Sequence, residues 1–280
     1  MTNEDQEEFW SKSAGPAWVS LQGALDALMQ PVLDLVLTRA DLAPGNRVLD
    51  IGCGTGISVA QAADRVGATG HVTGLDISDT MLAMATSRLS ARANTALIRA
   101  DAQVHDFEDA MFDALISRFG VMFFEDSVAA FANISHGLTA GARMTFAAWG
   151  PAAQNPFFME PAAAATDYFG PMPKVDRTLP GPFAFEDTDR VARMIEAAGL
   201  VDITAQTVNL FLTPAGDLAA LAELCCQVGP GDAALQFHNG TAEDRTALQA
   251  AIMTRFSIYD GPDGPRIPAA INLYQARTSA

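Results

Sequence analysis

Apolar side chains recur along this chain at two spacings, and the change between them divides it into helices and strands. Between residues 9 and 40 the repeat is three to four positions, which predicts helix, with Pro31 expected to break or to start it. Further along, the predicted strands are Arg47–Ile51, His71–Asp76, Ala96–Ala100, Ala114–Ser117 and Arg143–Ala148, and the helices between them are Thr55–Val66, Asp79–Ser90 and Asp126–Leu138. Strands that alternate with helices at this pitch predict an α/β fold with a parallel sheet.

The regular alternation stops after Trp149. Residues 150–185 combine prolines with aromatic residues, a composition that fits neither a disordered linker nor a core helix, and we expect this segment to form a lid. The pattern then predicts a helix over Asp187–Ala198, a strand over Asp202–Leu212, helices over 215–255, a loop over Tyr259–Pro268 and a last strand over Ala270–Arg277.

The turn after the first predicted strand carries the strongest chemical signal. Glycines alternate at positions 52, 54 and 56, which lets the backbone turn sharply and approach a ligand that any Cβ would keep away. Asp76 closes the second strand, about one β-α-β unit later, where an acidic residue can accept hydrogen bonds from both hydroxyls of a ribose. Together these features predict a nucleotide-like ligand in a doubly wound α/β fold.

The spacing of the glycines selects among nucleotide ligands. The dinucleotide fingerprint requires glycine at its first, third and sixth positions, whereas the sixth position here is Ile57. Asp50 also enters the loop, and its carboxylate would repel a pyrophosphate but attract the ammonium of an amino acid. The loop therefore favours S-adenosylmethionine, which joins ribose and adenine to an α-amino acid.

Four segments in order then resemble a known family. Residues 48–56, 75–82, 99–103 and 112–120 are similar to the motifs of class I S-adenosylmethionine-dependent methyltransferases, and most similar to the branch that acts in ubiquinone and menaquinone biosynthesis on small-molecule acceptors. The resemblance implies a mostly parallel, seven-stranded sheet with an antiparallel edge strand. It also implies methyl transfer by in-line displacement, achieved mainly through proximity and desolvation.

The resemblance assigns cofactor contacts to thirteen positions, which are Trp10, Asp50, Gly52, Cys53, Gly54, Gly56, Asp76, Ile77, Met81, Asp101, Ala102, Ser117 and Arg118. Within this set, Ile77 and Met81 are expected to sandwich the adenine, and Asp101 to accept a hydrogen bond from its amino group. Ser117 and Arg118 end the fourth strand and are expected to face the sulfonium. Trp10 lies where related enzymes cover the cofactor with an N-terminal helix.

Aromatic residues near the ends of the fourth and fifth strands point to the acceptor. Phe119, Phe123, Trp149 and Phe157 are expected to line an apolar pocket for a planar or lipophilic molecule. A phenolic acceptor also needs a base, but none of the four histidines has a position that assigns it this role. The catalytic residue is therefore left unassigned.

These assignments organise the chain as a single methyltransferase domain over residues 1–280. We expect a helical cap over residues 1–46, a cofactor-binding core over 47–149, and insertions over 150–186 and 213–268 that form the substrate lid.

Composition excludes several partners. The chain has 17 basic and 33 acidic residues, a net charge of −16, which argues against nucleic acid and anionic membrane surfaces. The acidic N-terminus lacks a secretory signal, and no apolar run is long enough to span a bilayer. Three cysteines cannot build a disulfide framework, so we expect a reducing cytoplasm, and the adjacent Cys225 and Cys226 are poorly arranged to chelate a metal. A homodimer is compatible with the sequence.

Two other functions are compatible with the same motifs. A nicotinamide-dependent oxidoreductase uses a similar fold, although Ile57 argues against it. A non-catalytic protein that binds an adenosyl ligand would explain the lack of an evident base.

Overall fold

The computed structural model describes residues 2–280, so Met1 lies outside the described part of the chain. A seven-stranded sheet has the order β3-β2-β1-β4-β5-β7-β6. Its strands are β1 Arg47–Ile51, β2 His71–Asp76, β3 Thr95–Arg99, β4 Phe112–Arg118, β5 Leu138–Trp149, β6 Val201–Leu212 and β7 Ile267–Arg277. Strands β1 to β5 are parallel, and β7 pairs antiparallel with both β5 and β6. The predicted doubly wound, mostly parallel sheet with an antiparallel edge is confirmed.

Eleven α-helices accompany the sheet in residues 2–280. They are α1 Asn3–Glu8, α2 Ala14–Ser20, α3 Gln22–Ala40, α4 Ile57–Val66, α5 Asp79–Leu89, α6 Ser127–His136, α7 Pro156–Phe169, α8 Thr188–Ala197, α9 Leu218–Cys225, α10 Gly229–Phe237 and α11 Ala242–Phe256. A π-helical turn, Phe9–Ser13, joins α1 to α2. Because parallel crossovers are right-handed and the strand order reverses between β1 and β4, α4 and α5 cover one face and α6 covers the other.

The expected break at Pro31 is wrong. Helix α3 continues from Gln22 to Ala40 with Pro31 inside it. An interior proline destabilises a helix by about 3 kcal/mol, because it removes one backbone hydrogen bond. Leu28, Val32 and Leu33 flank it and are fully buried, and burial of each such side chain is worth about 1.5–3 kcal/mol. Packing therefore overrides the local preference.

The expectation of no core helix in residues 150–185 is also wrong for part of that segment. Helix α7 spans Pro156–Phe169 and packs against α10 and α11. Pro156 opens the first turn, where a proline is favourable, and four consecutive alanines, residues 162–165, supply strong helix propensity. Phe157 and Ala164 of this helix are buried. Residues 170–187 connect this helix to α8 without further helix or strand.

The topology also fixes where a ligand can bind. Strands β1 and β4 are neighbours, and from them the chain proceeds to opposite edges of the sheet. In open α/β sheets the crevice outside the carboxyl ends of such strands is the usual ligand site. Asp50, Asp76 and Arg118 all lie at that end, each within one or two residues of the end of its strand.

Candidate active site

The loop after β1 is built from glycines with left-handed backbone angles. Gly52, Gly54 and Gly56 have φ values of 67°, 54° and 85°. At Gly52 a Cβ would lie 2.5 Å from the Cα of Gly120, which follows β4. The loops after β1 and β4 therefore touch, and only glycine on both sides allows this contact. Backbone without side chains therefore lines the carboxyl ends of β1 and β4, where the strand order reverses.

Asp50 supplies an incompletely satisfied negative charge beneath this loop. Its side chain is fully buried, and its Oδ2 accepts a hydrogen bond of 2.5 Å from the Ser58 hydroxyl. Its Oδ1 has no hydrogen-bond partner among residues 2–280. Burial raises the pKa of Asp50 to about 7, although the Ser58 hydrogen bond and the nearby Arg118 oppose the rise. An unpaired buried carboxylate oxygen reduces the stability of the fold, and a cationic group of a ligand could pair with it.

A buried pair of arginines lies beside this carboxyl. Arg118 ends β4, and its Nη2 is 3.7 Å from Oδ1 of Asp26 on α3. Arg88 on α5 donates to Oδ2 of the same aspartate over 2.6 Å and to Gln22 over 2.7 Å. In each guanidinium, Nη1 is buried and has no partner among the described residues. Neither Asp26 nor Arg88 belongs to a recognisable motif, so no sequence pattern points to either of them.

Asp76 binds the glycine loop with both carboxylate oxygens. Oδ2 accepts from the backbone N–H of Gly54 over 2.8 Å, and Oδ1 accepts from that of Ser78 over 2.9 Å. Burial raises the pKa of Asp76, and these hydrogen bonds oppose the rise. Each oxygen keeps a further lone pair, so the carboxylate can still accept from two ribose hydroxyls.

The expected adenine end contains an additional contact from the N-terminus. Asp101 Oδ1 accepts from the backbone N–H of Gln103 over 2.9 Å. Its Oδ2 accepts over 2.8 Å from the side-chain amide of Asn3, which also donates to the Gln103 side chain over 3.0 Å. Met81 is buried, and its Cε lies 3.2 Å from the position of a Cβ on Gly54. Ile77 is half-buried and Ala102 is buried.

The N-terminal segment, residues 2–20, crosses the end of β2 beside this site. The Ser78 hydroxyl donates to the backbone oxygen of Trp10 over 2.8 Å, and Thr80 donates to that of Ser11 over 2.7 Å. The Trp10 ring meets Phe123 edge-on, with 5.2 Å between ring centroids. Trp10 therefore lies where a cover over the site would be placed, next to the loop after β4.

Comparison with known proteins relates one segment of the chain to a family and the sheet to a known fold. Residues 48–141 match the family described as a methyltransferase domain. Aklanonic acid methyltransferase DauC of Streptomyces sp. (strain C5) is 38% identical over 104 residues, 36% of this chain and 47% of that protein. Demethylmenaquinone methyltransferase of Staphylococcus aureus (strain JH9) is 32% identical over 106 residues, 38% of this chain and 44% of that protein.

A solved structure agrees at the level of fold. Phosphoethanolamine N-methyltransferase 2 of Haemonchus contortus, in complex with phosphomonomethylethanolamine and S-adenosylhomocysteine, has a TM-score of 0.54 at 18% identity, covering 89% of this chain and 53% of that one. Residues 48–141 therefore form a methyltransferase domain, and the sheet has the fold of S-adenosylmethionine-dependent methyltransferases. The chain spans less than half the length of the two relatives matched by sequence.

Two of the predicted cofactor-binding residues, Cys53 and Ser117, have buried side chains that contact other residues of the protein. The thiol of Cys53 is buried, lies 2.8 Å from the position of a Cβ on Gly74 in β2, and has a pKa raised by burial. Ser117 is fully buried, and its hydroxyl donates to the backbone oxygen of Ile51 and accepts from the N–H of Gly120. Ser117 thus links the ends of β1 and β4, and Cys53 packs against β2.

The predicted acceptor residues of the methyltransferase form two groups. Phe119 stacks on Trp149 with 4.4 Å between ring centroids, and Trp149 also contacts Phe157 and Phe158. Phe123 belongs instead to the group around Trp10. Phe119 has a φ of 68°, a strained value for a bulky side chain that is typical of functional sites. Trp149 and Phe157 are almost fully buried, so an acceptor would meet mainly Phe119 and its half-buried neighbours.

Three of the four histidines pack on aromatic rings or end a helix. His105 packs edge-on against Phe107, His136 ends α6, and His238 stacks on Phe169 beside α7. In residues 2–280, no three His, Cys, Asp or Glu side chains are grouped so that they could hold a metal ion. No helix in the described part of the chain has both the length and the apolar character to cross a membrane.

Proposed function

We propose that this protein transfers a methyl group from S-adenosylmethionine to a small planar or lipophilic acceptor. The observation that carries the proposal is the Asp50 carboxyl, fully buried beneath the glycine loop with one oxygen unpaired. An α-ammonium group would satisfy that oxygen, whereas a pyrophosphate would be repelled by it. When bound, S-adenosylmethionine supplies a methyl group that its sulfonium has already activated.

The other residues of the site fit the remaining parts of this cofactor. Asp76 has lone pairs available for the ribose hydroxyls beyond its two backbone hydrogen bonds. Met81 and Ile77 offer apolar surface beside the glycine loop for adenine. Asp101 offers the acceptor that an adenine amino group needs, and Ala102 follows it with its backbone. Together with Asp50, these residues would contact the ammonium, the sugar and the base.

The contribution of the protein to the reaction is mainly alignment and exclusion of water. The N-terminal segment lies over the end of β2, and aromatic side chains surround the end of β4. These surfaces would hold an acceptor atom in line with the methyl group and away from solvent. Aromatic faces also favour a nearby sulfonium through cation–π attraction. No base is assigned, and a phenolic acceptor would need one.

The aromatic surroundings favour the planar class of acceptor. Phe119, Trp149 and Phe158 present stacked and edge-on rings, which suit a flat or lipophilic molecule. Two relatives are named for methylating aklanonic acid and demethylmenaquinone. Their names support a small-molecule acceptor without identifying it.

The test is calorimetric titration with S-adenosylmethionine, S-adenosylhomocysteine and NAD. We expect both adenosyl ligands to bind and NAD not to bind. Asp76→Ala should weaken adenosyl binding at least about tenfold, because two charge-assisted hydrogen bonds to the ribose are lost. Asp64→Ala, an exposed surface change, is the control. Binding of NAD alone would support the oxidoreductase alternative, and tight adenosyl binding without transfer to a panel of phenols, quinols and carboxylates would support a non-catalytic role.

Location and assembly are part of the same proposal. We propose a cytoplasmic protein, since all three cysteines are buried and free, which suits a reducing compartment. A homodimer is our expectation for the oligomeric state, and light scattering on the purified protein tests it.

A further inference from the structure

The site contains two buried groups of opposite charge, and neither is fully paired. Asp50 is fully buried, and its Oδ1 has no partner in residues 2–280. The Arg118 side chain is 16% exposed, and its Nη1 is buried without a partner in the same part of the chain. The two side chains interact electrostatically, yet they form no ion pair within 4.0 Å. An unpaired carboxylate oxygen and an unpaired guanidinium N–H on two interacting side chains would suit the two charged groups of a zwitterion.

The position of Arg118 is set by a second aspartate. Asp26, whose side chain is 15% exposed, has one oxygen 3.7 Å from Arg118 and the other 2.6 Å from Arg88. Gln22 accepts from the same nitrogen of Arg88 over 2.7 Å. Asp26 of α3 thus lies between the guanidinium groups of Arg88 on α5 and Arg118 on β4. The orientation of the Arg118 side chain therefore depends on residues outside the glycine loop.

The charges favour a neutral zwitterion over a simple cation. Asp50 and Arg118 have opposite charges, so a ligand with an ammonium and a carboxylate can offer one group to each, whereas a simple cation leaves Nη1 of Arg118 without a partner. The sequence-based expectation that Arg118 faces the sulfonium is also unfavourable in charge, because both groups are cationic. A carboxylate beside Arg118 removes that conflict.

We propose that Arg118 binds the α-carboxylate of the amino-acid part of the cofactor, opposite the ammonium on Asp50, and that Asp26 is its positioning residue. The proposal rests on the function proposed above and assigns a partner to the carboxylate, which the residues proposed for the ammonium, the ribose and the adenine leave without one.

The test uses three ligands that differ only in the amino-acid part. S-adenosylhomocysteine carries both the ammonium and the carboxylate, S-adenosyl-3-thiopropylamine keeps the ammonium alone, and 5′-methylthioadenosine has neither. Calorimetry should show that Arg118→Met weakens S-adenosylhomocysteine about 10- to 100-fold while it changes the other two ligands less than about threefold. Asp50→Asn should instead weaken both ammonium-bearing ligands and spare 5′-methylthioadenosine.

The remaining variants separate positioning from structure. Asp26→Asn should reduce the preference for the carboxylate-bearing ligand about three- to tenfold, because Arg118 keeps its charge but loses its orientation. Arg118→Lys should keep part of the preference for the carboxylate-bearing ligand that Arg118→Met loses. It also replaces Arg118→Met in the test if that variant does not fold. Arg92→Met, an exchange on the surface, is the matched control.

The outcomes distinguish this inference from the proposed function. If the wild-type protein binds none of the three ligands, the proposed function fails. If it binds S-adenosylhomocysteine and Arg118→Met binds it equally well, or loses all three ligands in proportion, Arg118 does not recognise the carboxylate and only this inference is refuted.

Discussion

The stability of this protein should depend on the charge of one buried carboxyl, that of Asp50. The substitution Asp50→Asn keeps the size of the side chain and an acceptor for the Ser58 hydroxyl, but removes the charge. We expect the variant to gain stability relative to the wild type as the pH is raised from 5 to 8. The reason is that burial penalises the ionised carboxylate and not the neutral amide.

The size of the effect follows from the pKa of Asp50, which burial raises from 3.8 to about 7. Between these values the folded protein holds a proton that the unfolded chain releases, so the stabilising contribution is fully present below pH 4 and is lost as the pH rises through 7. From pH 5 to pH 8 the loss amounts to roughly 2.5 kcal/mol, since one pKa unit corresponds to about 1.4 kcal/mol. The amide of Asn adds a buried donor, but its cost is the same at both pH values and cancels in the difference.

Urea unfolding of both proteins at pH 5 and pH 8, followed by circular dichroism and tryptophan fluorescence, measures this difference. Asp34→Asn, an exchange of an exposed residue, is the control and should show none of it. A stability difference between Asp50→Asn and wild type that is equal at the two pH values would refute the reasoning, and so would a larger relative gain at pH 5.

The same ionisation should control ligand binding. The ammonium of S-adenosylhomocysteine requires the charged form of Asp50, and at pH 6 only about one tenth of the free protein carries it. Wild-type affinity should therefore fall about tenfold from pH 8 to pH 6. The affinity of Asp50→Asn should be weaker and nearly independent of pH, whereas a parallel decline in both proteins would assign the titration to another group.

Two further predictions concern the loop and the N-terminal segment. Gly52→Ala should destabilise the fold by about 2 kcal/mol or more in thermal and urea unfolding, because its Cβ would lie 2.5 Å from the Cα of Gly120 at a φ of 67°. Gly23→Ala, in open space on α3, is the control, and equal effects of the two substitutions would contradict the steric argument. Asn3→Ala should raise both the association and dissociation rates of S-adenosylhomocysteine about five- to tenfold in stopped-flow measurements. The reason is the loss of two hydrogen bonds, of about 1 kcal/mol each, that join the N-terminal segment to Asp101 and Gln103. Unchanged rates would show that the N-terminal segment does not control access of the ligand to the site.

The parts of the fold predicted correctly are those with local signals. The first two strands match their predicted bounds, because an apolar run, a turn and a terminal acidic residue are contiguous in the chain. Helix α7 was missed, since its prolines and aromatic residues suggested a loop while its burial depends on α10 and α11. Pro31 was misjudged for the same reason, because tertiary packing compensates for a local defect.

The candidate site divides in the same way. Asp50, Asp76 and the glycines belong to contiguous motifs and lie together as expected. Asp26 and Arg88 are 62 residues apart and meet only in the folded chain, where α3 and α5 both contact α2 and α4. A charged residue on an amphipathic helix is usually a solvated one, so nothing in the sequence distinguishes these two from surface charges.

Buried charges that are not fully paired reduce the stability of a fold, and proteins retain them where function requires it. In this protein they are confined to the carboxyl ends of β1 and β4 and to the helices beside them, while the far side of the core contains the uncharged aromatic stack of Phe131, Phe146 and Tyr274. The arrangement assigns different tasks to different parts of the chain. The motif-bearing half and α3 form a polar site suited to an amino-acid-bearing nucleoside, and the aromatic residues after β4 and β5 form the apolar surface that would select the acceptor. Because that second surface is built from segments with few motifs, its substrate must be found by screening, whereas the first can be tested residue by residue.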